Sequence, residues 1–489
     1  MLPSNIKKLI TGRQWYHQRF DASPMFLYAV GEAEVYQEKR KPAGTEADIR
    51  VSFYAQDKAD WYLDMADIDR GAKVMIRLAK RDPKISSKLL KAWRRDELVF
   101  ENYFWHQFPK IKLAKLSNDE LTKQWQHYYN LFTKRFTSSA IIDHFALGTD
   151  ELIGTMIRKE VGALEKESQF TEIFSAATAP VRQSFINQAE IDLLKIATTE
   201  TTEKRLTEYQ KKYFWTKNNY AYAYHLTTND FEKELSTWRK SGKDLREELD
   251  RIKNTPAENK RKKAVLFKKY HFSPLLRTLL KISEDFSWWQ DERKKSTYLN
   301  IHIGFQILKE IGKRIGYTVD ELKYAVAPEM EGIIKNRQPS PAELRQRKQG
   351  SVFIVTREGY QVETGKGAEE VRKSMFGDQK LDEIKDLRGL VAMTGKTIGR
   401  AKILLSANEV GKVQHGDVLI AVMTRPDYVP AMKKAAAIVT DEGGITSHAA
   451  IVSRELGIPC IIGTKIATQI FKDGDQLEVN ANHNWVRKL

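Results

Sequence analysis

The chain has 489 residues, 41% of them hydrophobic, and its 81 Lys and Arg exceed its 64 Asp and Glu by 17. This length favours two to four domains with substantial cores. No stretch approaches the roughly 18 uncharged apolar residues of a membrane helix, the N-terminus lacks the apolar run of a secretory signal, and the single Cys460 excludes an intrachain disulfide. We therefore predict a cytoplasmic protein without a membrane partner.

Residues 1–375 are predicted to form a mainly α-helical body. Apolar residues return at intervals of three and four in Leu275–Trp289 and in Tyr298–Ile311, which is the helical period. Other stretches alternate as strands do, at Ile49–Ala55 and in a predicted hairpin near 351–363. The sequence therefore predicts a helical domain that contains a small amount of sheet.

The basic excess is spread along the chain in short clusters such as Lys260–Lys263. Acidic and basic residues are interleaved elsewhere, as in Arg246–Arg251, which is typical of solvated helix faces. A basic nucleic-acid binder is an alternative, but the sequence contains no recognisable nucleic-acid-binding module. We expect the positive field to attract phosphorylated ligands or an acidic partner rather than nucleic acid.

A polar stretch, residues 376–388, is predicted to be a hinge between the body and a C-terminal domain at 389–489. Of the 27 glycines, 11 lie at or after Gly377, so this domain is built of short elements and tight turns. The predicted strands lie near 400–405, 418–422, 436–440, 460–462 and 477–480, and the predicted helices near 429–434 and 448–456. The chain is therefore predicted to be multidomain, with a mixed α/β domain at its C-terminal end.

One segment of this domain carries the chemistry. An apolar strand, Ala436–Val439, leads through acidic residues and the pair Gly443 and Gly444 into a helix that begins at His448 and stops at Gly457. A histidine in the first turn lies at the positive end of the helix dipole, among amides without intrahelical partners. The neutral, nucleophilic ring is favoured there, and a phosphoryl group on it lies in surroundings suited to anions.

Taken alone, His448 is more simply explained as a structural residue at a strand-to-helix junction. The segments around it decide the matter, because Gly389–Ile403, Gly416–Lys433 and Thr440–Gly463 closely resemble the phosphohistidine swivelling domain of phosphoenolpyruvate-utilising enzymes. That family includes phosphoenolpyruvate synthase, pyruvate phosphate dikinase and rifamycin phosphotransferase. The resemblance covers roughly residues 388 to 489 and implies that His448 accepts phosphate from a nucleotide or phosphoenolpyruvate and passes it on.

Several neighbours of His448 are candidates for holding the phosphate. The residues expected to steady it are Gly443, Gly444, Thr446 and Ser447, and the candidates for charge contacts are Arg425 and Arg454. Thr446 stands where some family members have a regulatory phosphorylation site, but a helix cap is an alternative role. Arg454 has the alternative role of a solvent-facing helix residue.

Complete phosphoenolpyruvate synthases place an ATP-grasp nucleotide domain before the swivelling domain and a TIM barrel after it. The first 380 residues here contain neither the glycine-rich basic hairpin of an ATP-grasp fold nor a Walker-type loop. The remaining order, a helical domain and then the histidine domain, is similar to rifamycin phosphotransferase without its nucleotide domain; there the helical part binds the phosphate acceptor. We therefore expect a separate ATP-grasp protein to bind ATP or phosphoenolpyruvate with magnesium, and no metal or tightly bound cofactor in this chain.

An acceptor cavity needs an apolar wall, a few directed polar groups and an opening that His448 can reach. Trp288, Trp289, Glu292 and Arg293 combine two indoles with charges and are the predicted acceptor site for a small molecule. A second mixed cluster lies at Trp15–Arg19. For both clusters the alternative is that the rings fill the core while the charges face water.

These features together predict a phosphotransferase component in which His448 carries phosphate from a partner to an acceptor held by the helical domain. Because donor and acceptor sites are separate, the histidine domain must move between them. Two alternatives stay open. One is a divergent nucleotide site in residues 1–375, and the other is a non-catalytic phosphocarrier or regulatory interaction module.

Overall fold

The computed structural model confirms a multidomain fold with a helical N-terminal body and a C-terminal mixed α/β domain. It describes residues 4–36, 41–162, 167–199, 201–240, 242, 244–377, 386–424, 428–444 and 447–489. The helices are α1 (Ser4–Ile10), α2 (Pro24–Val35), α3 (Met65–Arg81), α4 (Ile85–Asn102), α5 (Asn118–Ser139), α6 (Ile141–Val161), α7 (Glu167–Thr178), α8 (Phe185–Ala197), α9 (Glu203–Tyr213), α10 (Thr228–Lys240), α11 (Leu245–Tyr270), α12 (Pro274–Ile315), α13 (Val319–Leu322), α14 (Met330–Asn336), α15 (Pro341–Gln349), α16 (Lys366–Phe376), α17 (Val429–Met432), α18 (His448–Leu456) and α19 (Ala467–Ile470). The strands are β1 (Trp15–Asp21), β2 (Ile49–Ala55), β3 (Lys58–Asp64), β4 (Ser351–Thr356), β5 (Gly359–Thr364), β6 (Asp386–Arg388), β7 (Leu390–Met393), β8 (Lys396–Leu404), β9 (Val418–Ala421), β10 (Ala437–Thr440), β11 (Cys460–Ile462), β12 (Gln476–Asn480) and β13 (Trp485–Lys488).

The long helix α12 organises the body. Its 42 residues span about 63 Å at 1.5 Å per residue. Ser273 caps its start by accepting a hydrogen bond from the Leu276 amide, and Gly316 ends it in the left-handed conformation at φ 77°. The helix packs against α4, α5 and α6. No helix in the described ranges is both long enough and apolar enough to cross a membrane.

The body also contains an antiparallel five-stranded sheet in the order β1-β3-β2-β4-β5. The predicted hairpin near 351–363 is confirmed as β4 and β5, and it pairs with β2 from the other end of the body. Phe353 and Val355 face the main helical core, whereas Val352 and Ile354 pack with α1 and α16 on the opposite face. Strand β1 forms one edge of this sheet.

The C-terminal domain contains an eight-stranded sheet in the order β6-β13-β12-β8-β9-β10-β11-β7. The four central strands β8, β9, β10 and β11 are parallel, and the flanking strands are antiparallel. Of the predicted hinge, residues 378–385 lie outside the described residues. Residues 386–388 form β6, which pairs with β13, so this part of the stretch belongs to the C-terminal sheet.

Candidate functional site

His448 lies at the carboxyl edge of the parallel strands, where α/β sheets commonly bind ligands. The chain leaves β10 at Thr440, passes the two glycines and enters α18 at His448. Ser447 caps this helix, because its backbone is extended and its Oγ accepts a hydrogen bond of 3.3 Å from the Ala450 amide. The predicted position of His448 in the first helical turn is therefore confirmed.

A threonine that the sequence analysis missed orients the histidine ring. Thr424 follows β9, the strand next to β10, and its Oγ1 lies 2.8 Å from Nδ1 of His448. Thr424 is 6% exposed, and the histidine is half-buried. Its position directly after a predicted apolar strand was the available signal. The contact engages Nδ1 and holds the ring in one orientation.

The glycine pair keeps the approach to the helix start open. Gly443 has φ 129°, which strains any other residue, and a side chain there would also meet Ser447. A Cβ at Gly444 would meet only open space. Arg454 donates a 2.9 Å hydrogen bond from Nε to the Ala392 carbonyl, which ties it to β7. Thr446 and Arg425 lie outside the described residues.

The same edge of the C-terminal domain rests on the body. The Glu442 carboxylate, just before the glycine pair, accepts a 3.2 Å hydrogen bond from the backbone amide of His17 on the edge strand β1. Met423, next to Thr424, packs against the main core of the body. Burial raises the pKa of the Glu442 carboxyl, and Lys465 at 3.1 Å partly offsets the effect. The histidine edge of the C-terminal domain is therefore docked on the body.

The predicted cluster Trp15–Arg19 lies at this docking surface. His17 Nε2 is 2.8 Å from Asp60, Arg19 reaches the same carboxylate at 3.3 Å, and the His17 ring stacks on Tyr62 with centroids 4.6 Å apart. Burial works to raise the pKa of Asp60, but the hydrogen bond from His17 and the charge of Arg19 outweigh it and hold the pKa below its ordinary value. The cluster therefore places a charged, hydrogen-bonded group beside the docked domain.

A cavity of about 780 Å³ lies where the two parts meet, and we call it the interdomain cavity. The C-terminal domain contributes the residues that follow β8 and β9, namely Leu405, Ser406, Met423 and Tyr428. The main aromatic and apolar walls from the body are Phe20, Leu27, Trp61, Phe136, Leu147, Tyr220 and Tyr298. Its charged lining residues are Arg19, Asp21, Glu34, Asp143, Lys217, Arg293 and Lys294.

The wall of the interdomain cavity contains a buried hydroxyl and two charge pairs. The Ser406 hydroxyl is buried and finds no hydrogen-bond partner within the described part of the chain. Arg293 binds Asp143 through two hydrogen bonds of 2.8 Å, so a planar charge pair is held rigidly in the wall. Glu34 is 3% exposed and pairs with the fully buried Arg50; burial raises the pKa of its carboxyl.

The four residues predicted to form the acceptor site are not brought together. Arg293 lines the interdomain cavity, whereas Trp289 is fully buried against Trp93 in a separate helical core. Trp288 lies under the Arg182 guanidinium, 5.0 Å from the ring centroid, and does not line the interdomain cavity. Glu292 lines a different cavity and forms an ion pair with Lys295. Adjacent positions on a helix point to different faces, which separates these side chains.

Metal ligands are a separate question. Among the residues that the structure describes, no group of three or more His, Cys, Asp or Glu side chains is arranged to hold a metal ion.

Comparison with known proteins agrees with the geometry around His448. The family model of the PEP-utilising enzyme mobile domain matches residues 413–484. The C-terminal domain belongs to this family. The matched segment begins just before β9, includes α18 and ends just after β12.

The chain is also similar to phosphoenolpyruvate synthases over part of its length. A probable phosphoenolpyruvate synthase of Archaeoglobus fulgidus is 60% identical over 100 residues, which cover 20% of this chain and 13% of that protein. The phosphoenolpyruvate synthase of Pyrococcus furiosus is 57% identical over 102 residues, 21% and 12% of the two chains. That of Aquifex aeolicus is 34% identical over 181 residues, 35% and 21%. The matched part spans about an eighth to a fifth of these relatives.

Proposed function

We propose that this chain is a phosphotransferase component in which His448 is transiently phosphorylated and passes the phosphoryl group to a small molecule in the interdomain cavity. One observation carries the proposal: the loop after β9 serves both sites. Met423 lines the cavity, and the next residue, Thr424, holds the ring of His448. A phosphoryl group on His448 is therefore close to the cavity whenever the mobile domain is docked.

The transfer exchanges one bond at phosphorus for another. The bond between phosphorus and the imidazole nitrogen breaks, a bond to an acceptor hydroxyl oxygen forms, and the hydroxyl proton passes to the leaving imidazole. Positioning and charge stabilisation dominate such reactions. The amides at the start of α18 and the cations Arg19 and Lys294 in the cavity wall are suited to the charge on the transferred group.

The cavity also favours an acceptor class. A volume of about 780 Å³ lies within the range of sites for drug-sized ligands, and a three-carbon keto acid would leave most of it empty. Aromatic walls such as Trp61 and Phe136 would hold an apolar body, while the Arg293–Asp143 pair and Ser406 would orient hydroxyl or amide groups. We infer a hydroxyl-bearing acceptor with a sizeable apolar or aromatic part.

The donor belongs to another protein in this proposal, an ATP-grasp-type partner that binds ATP or phosphoenolpyruvate with magnesium. The mobile domain would leave its docked position to reach that partner. The docking contacts support this movement, because they are side-chain contacts and not a shared sheet: Glu442 accepts one amide from the edge strand β1, and Met423 packs against the main core of the body.

The following experiment tests transfer of phosphate to the acceptor without requiring the donor protein. The protein is phosphorylated chemically with phosphoramidate, freed of reagent and incubated with a fractionated metabolite extract; mass spectrometry then searches for compounds that gain one phosphoryl group. We expect a phosphorylated acceptor with the wild-type chain and none with His448→Ala, which should retain the thermal stability of the wild type because Ser447 still caps α18. If phosphate leaves the wild-type chain only as inorganic phosphate, the phosphocarrier alternative is favoured and transfer to a small molecule is refuted.

A second candidate is an enzyme with its own nucleotide site in residues 1–375. The similarity to the Aquifex aeolicus protein favours it, because 181 aligned residues exceed the 104 residues from 386 to 489 and must extend into the body. Labelling distinguishes the candidates. If the isolated chain incorporates phosphate from ATP at His448 without a partner, the donor site lies in this chain and the two-protein arrangement is wrong.

A further inference from the structure

A second cavity, of about 440 Å³, lies on the helical body, and the proposed phosphoryl transfer makes no use of it. It is bounded by the turn after α4, the start of α8, the end of α9 and the middle of α12. Its volume falls within the range of small-molecule sites.

The walls of this second cavity are aromatic. Trp105 stands on one side and is 40% exposed, although large apolar side chains are usually covered. It belongs to a π-helical turn, Tyr103–Gln107, a feature that is frequent at functional sites. Phe185 and Trp215 form another part of the wall with ring centroids 5.6 Å apart, and the buried Leu299 also lines the cavity.

The charges at its rim already have partners. Lys295 Nζ lies 2.9 Å from Glu292 and 3.8 Å from Glu101, and Lys212 Nζ lies 2.9 Å from Asp192. Two acidic and two basic side chains line the cavity, so their formal charges cancel. A charged ligand would have to displace one of these pairs and would gain little, whereas a flat ring gains contact with several aromatic faces.

We propose that the second cavity binds an uncharged, planar aromatic small molecule of about two fused rings. The site lies directly behind the interdomain cavity. Phe185 lines the second cavity and meets Tyr298 of the interdomain cavity edge-on, with centroids 6.3 Å apart. A ligand in the second cavity therefore presses on the same helix turn of α12 that lines the proposed acceptor site, which is the position of an effector.

Indole is a suitable probe, because it is uncharged and bicyclic and, having no hydroxyl, cannot accept phosphate. Its binding is titrated by saturation-transfer NMR on the full chain. We expect saturable binding to the wild type, binding about tenfold weaker in Trp105→Ala, and partial recovery in Trp105→Phe. Trp288→Ala is the matched control, since Trp288 is a half-buried tryptophan outside both cavities, and it should bind indole as the wild type does.

A further variant shows in which of the two cavities indole binds. Ser406→Trp narrows the interdomain cavity from the mobile domain and should leave indole binding unchanged. If indole does not saturate the wild type, the ligand class is wrong. If Trp105→Ala binds indole with wild-type affinity, or Ser406→Trp abolishes binding, the second cavity is not the site. None of these outcomes depends on phosphorylation of His448, so they test this site independently of the proposed function.

Discussion

Replacing Thr424 by valine should slow phosphorylation of His448 and change which ring nitrogen carries the phosphate. Valine keeps the shape of threonine but removes the hydroxyl that lies 2.8 Å from Nδ1. Thr424 is only 6% exposed, so water has little room to replace the lost hydroxyl. A hydrogen bond contributes about 0.5–1.5 kcal/mol net, which corresponds to a factor of about 2 to 13 in rate. Without this contact, Nδ1 of His448 becomes a competing site for phosphorylation.

Phosphoramidate as donor makes the measurement independent of any partner protein. The rate of incorporation is followed by mass spectrometry, and ³¹P NMR of the unfolded product in alkali distinguishes the two phosphohistidine isomers. The other nine histidines contribute a background that His448→Ala defines. We expect Nε2 phosphohistidine in the wild type, a mixture in Thr424→Val, and wild-type behaviour in Thr424→Ser, which keeps the hydroxyl. An unchanged rate and an unchanged isomer in Thr424→Val, with the thermal stability preserved, would refute the orienting role.

Three further predictions concern docking and stability. Glu442→Ala should shift the mobile domain towards an undocked state, seen as a larger radius of gyration in X-ray scattering, whereas Glu442→Gln keeps an acceptor for the His17 amide and should stay compact. Burial and the nearby Arg50 lower the pKa of His144 to about 3, so between pH 6.5 and pH 3 the unfolded chain binds a proton at this residue that the folded chain does not. The free energy of unfolding should therefore fall by up to about 1.4 kcal/mol per pH unit towards pH 3. Denaturant titrations at several pH values should show a weaker dependence of this free energy on pH in His144→Gln. Gly304→Ala should cost about 1–3 kcal/mol in the free energy of unfolding, because a methyl group there overlaps the Tyr128 hydroxyl; equal stability of Gly304→Ala and the uncrowded control Gly154→Ala would contradict this.

The parts of the fold that depend on local signals could be predicted from the sequence. The start of α18 at His448, its cap and its end at Gly457 follow from short-range preferences, and the predicted helix and the observed one have the same limits. The apolar runs gave β9 and β10 to within a residue or two. The strands β1 and β3 were missed, because polar residues such as His17, Gln18 and Arg19 interrupt the alternation of β1.

The proposed acceptor site depended on long-range packing and could not be predicted in the same way. A tryptophan pair on a helix has the same sequence pattern whether it fills a core or lines a cavity. The packing of Trp93 against Trp289 places Trp289 in the core. Ser406 and Met423 come next to the body only because β8 and β9 are parallel neighbours whose ends face it. A single sequence shows neither that neighbourhood nor the docking of Glu442 on His17.

The way Glu442 meets β1 determines what happens when the two parts separate. The Glu442 carboxylate accepts one hydrogen bond from an amide of the edge strand, so undocking breaks no ladder of backbone hydrogen bonds. Release of this contact can therefore be fast and reversible. Departure also exposes the His17 amide on this edge strand, and unpaired backbone groups at a sheet edge can pair with another molecule of the same protein. Concentrated solutions of an undocked variant such as Glu442→Ala should consequently self-associate before they unfold.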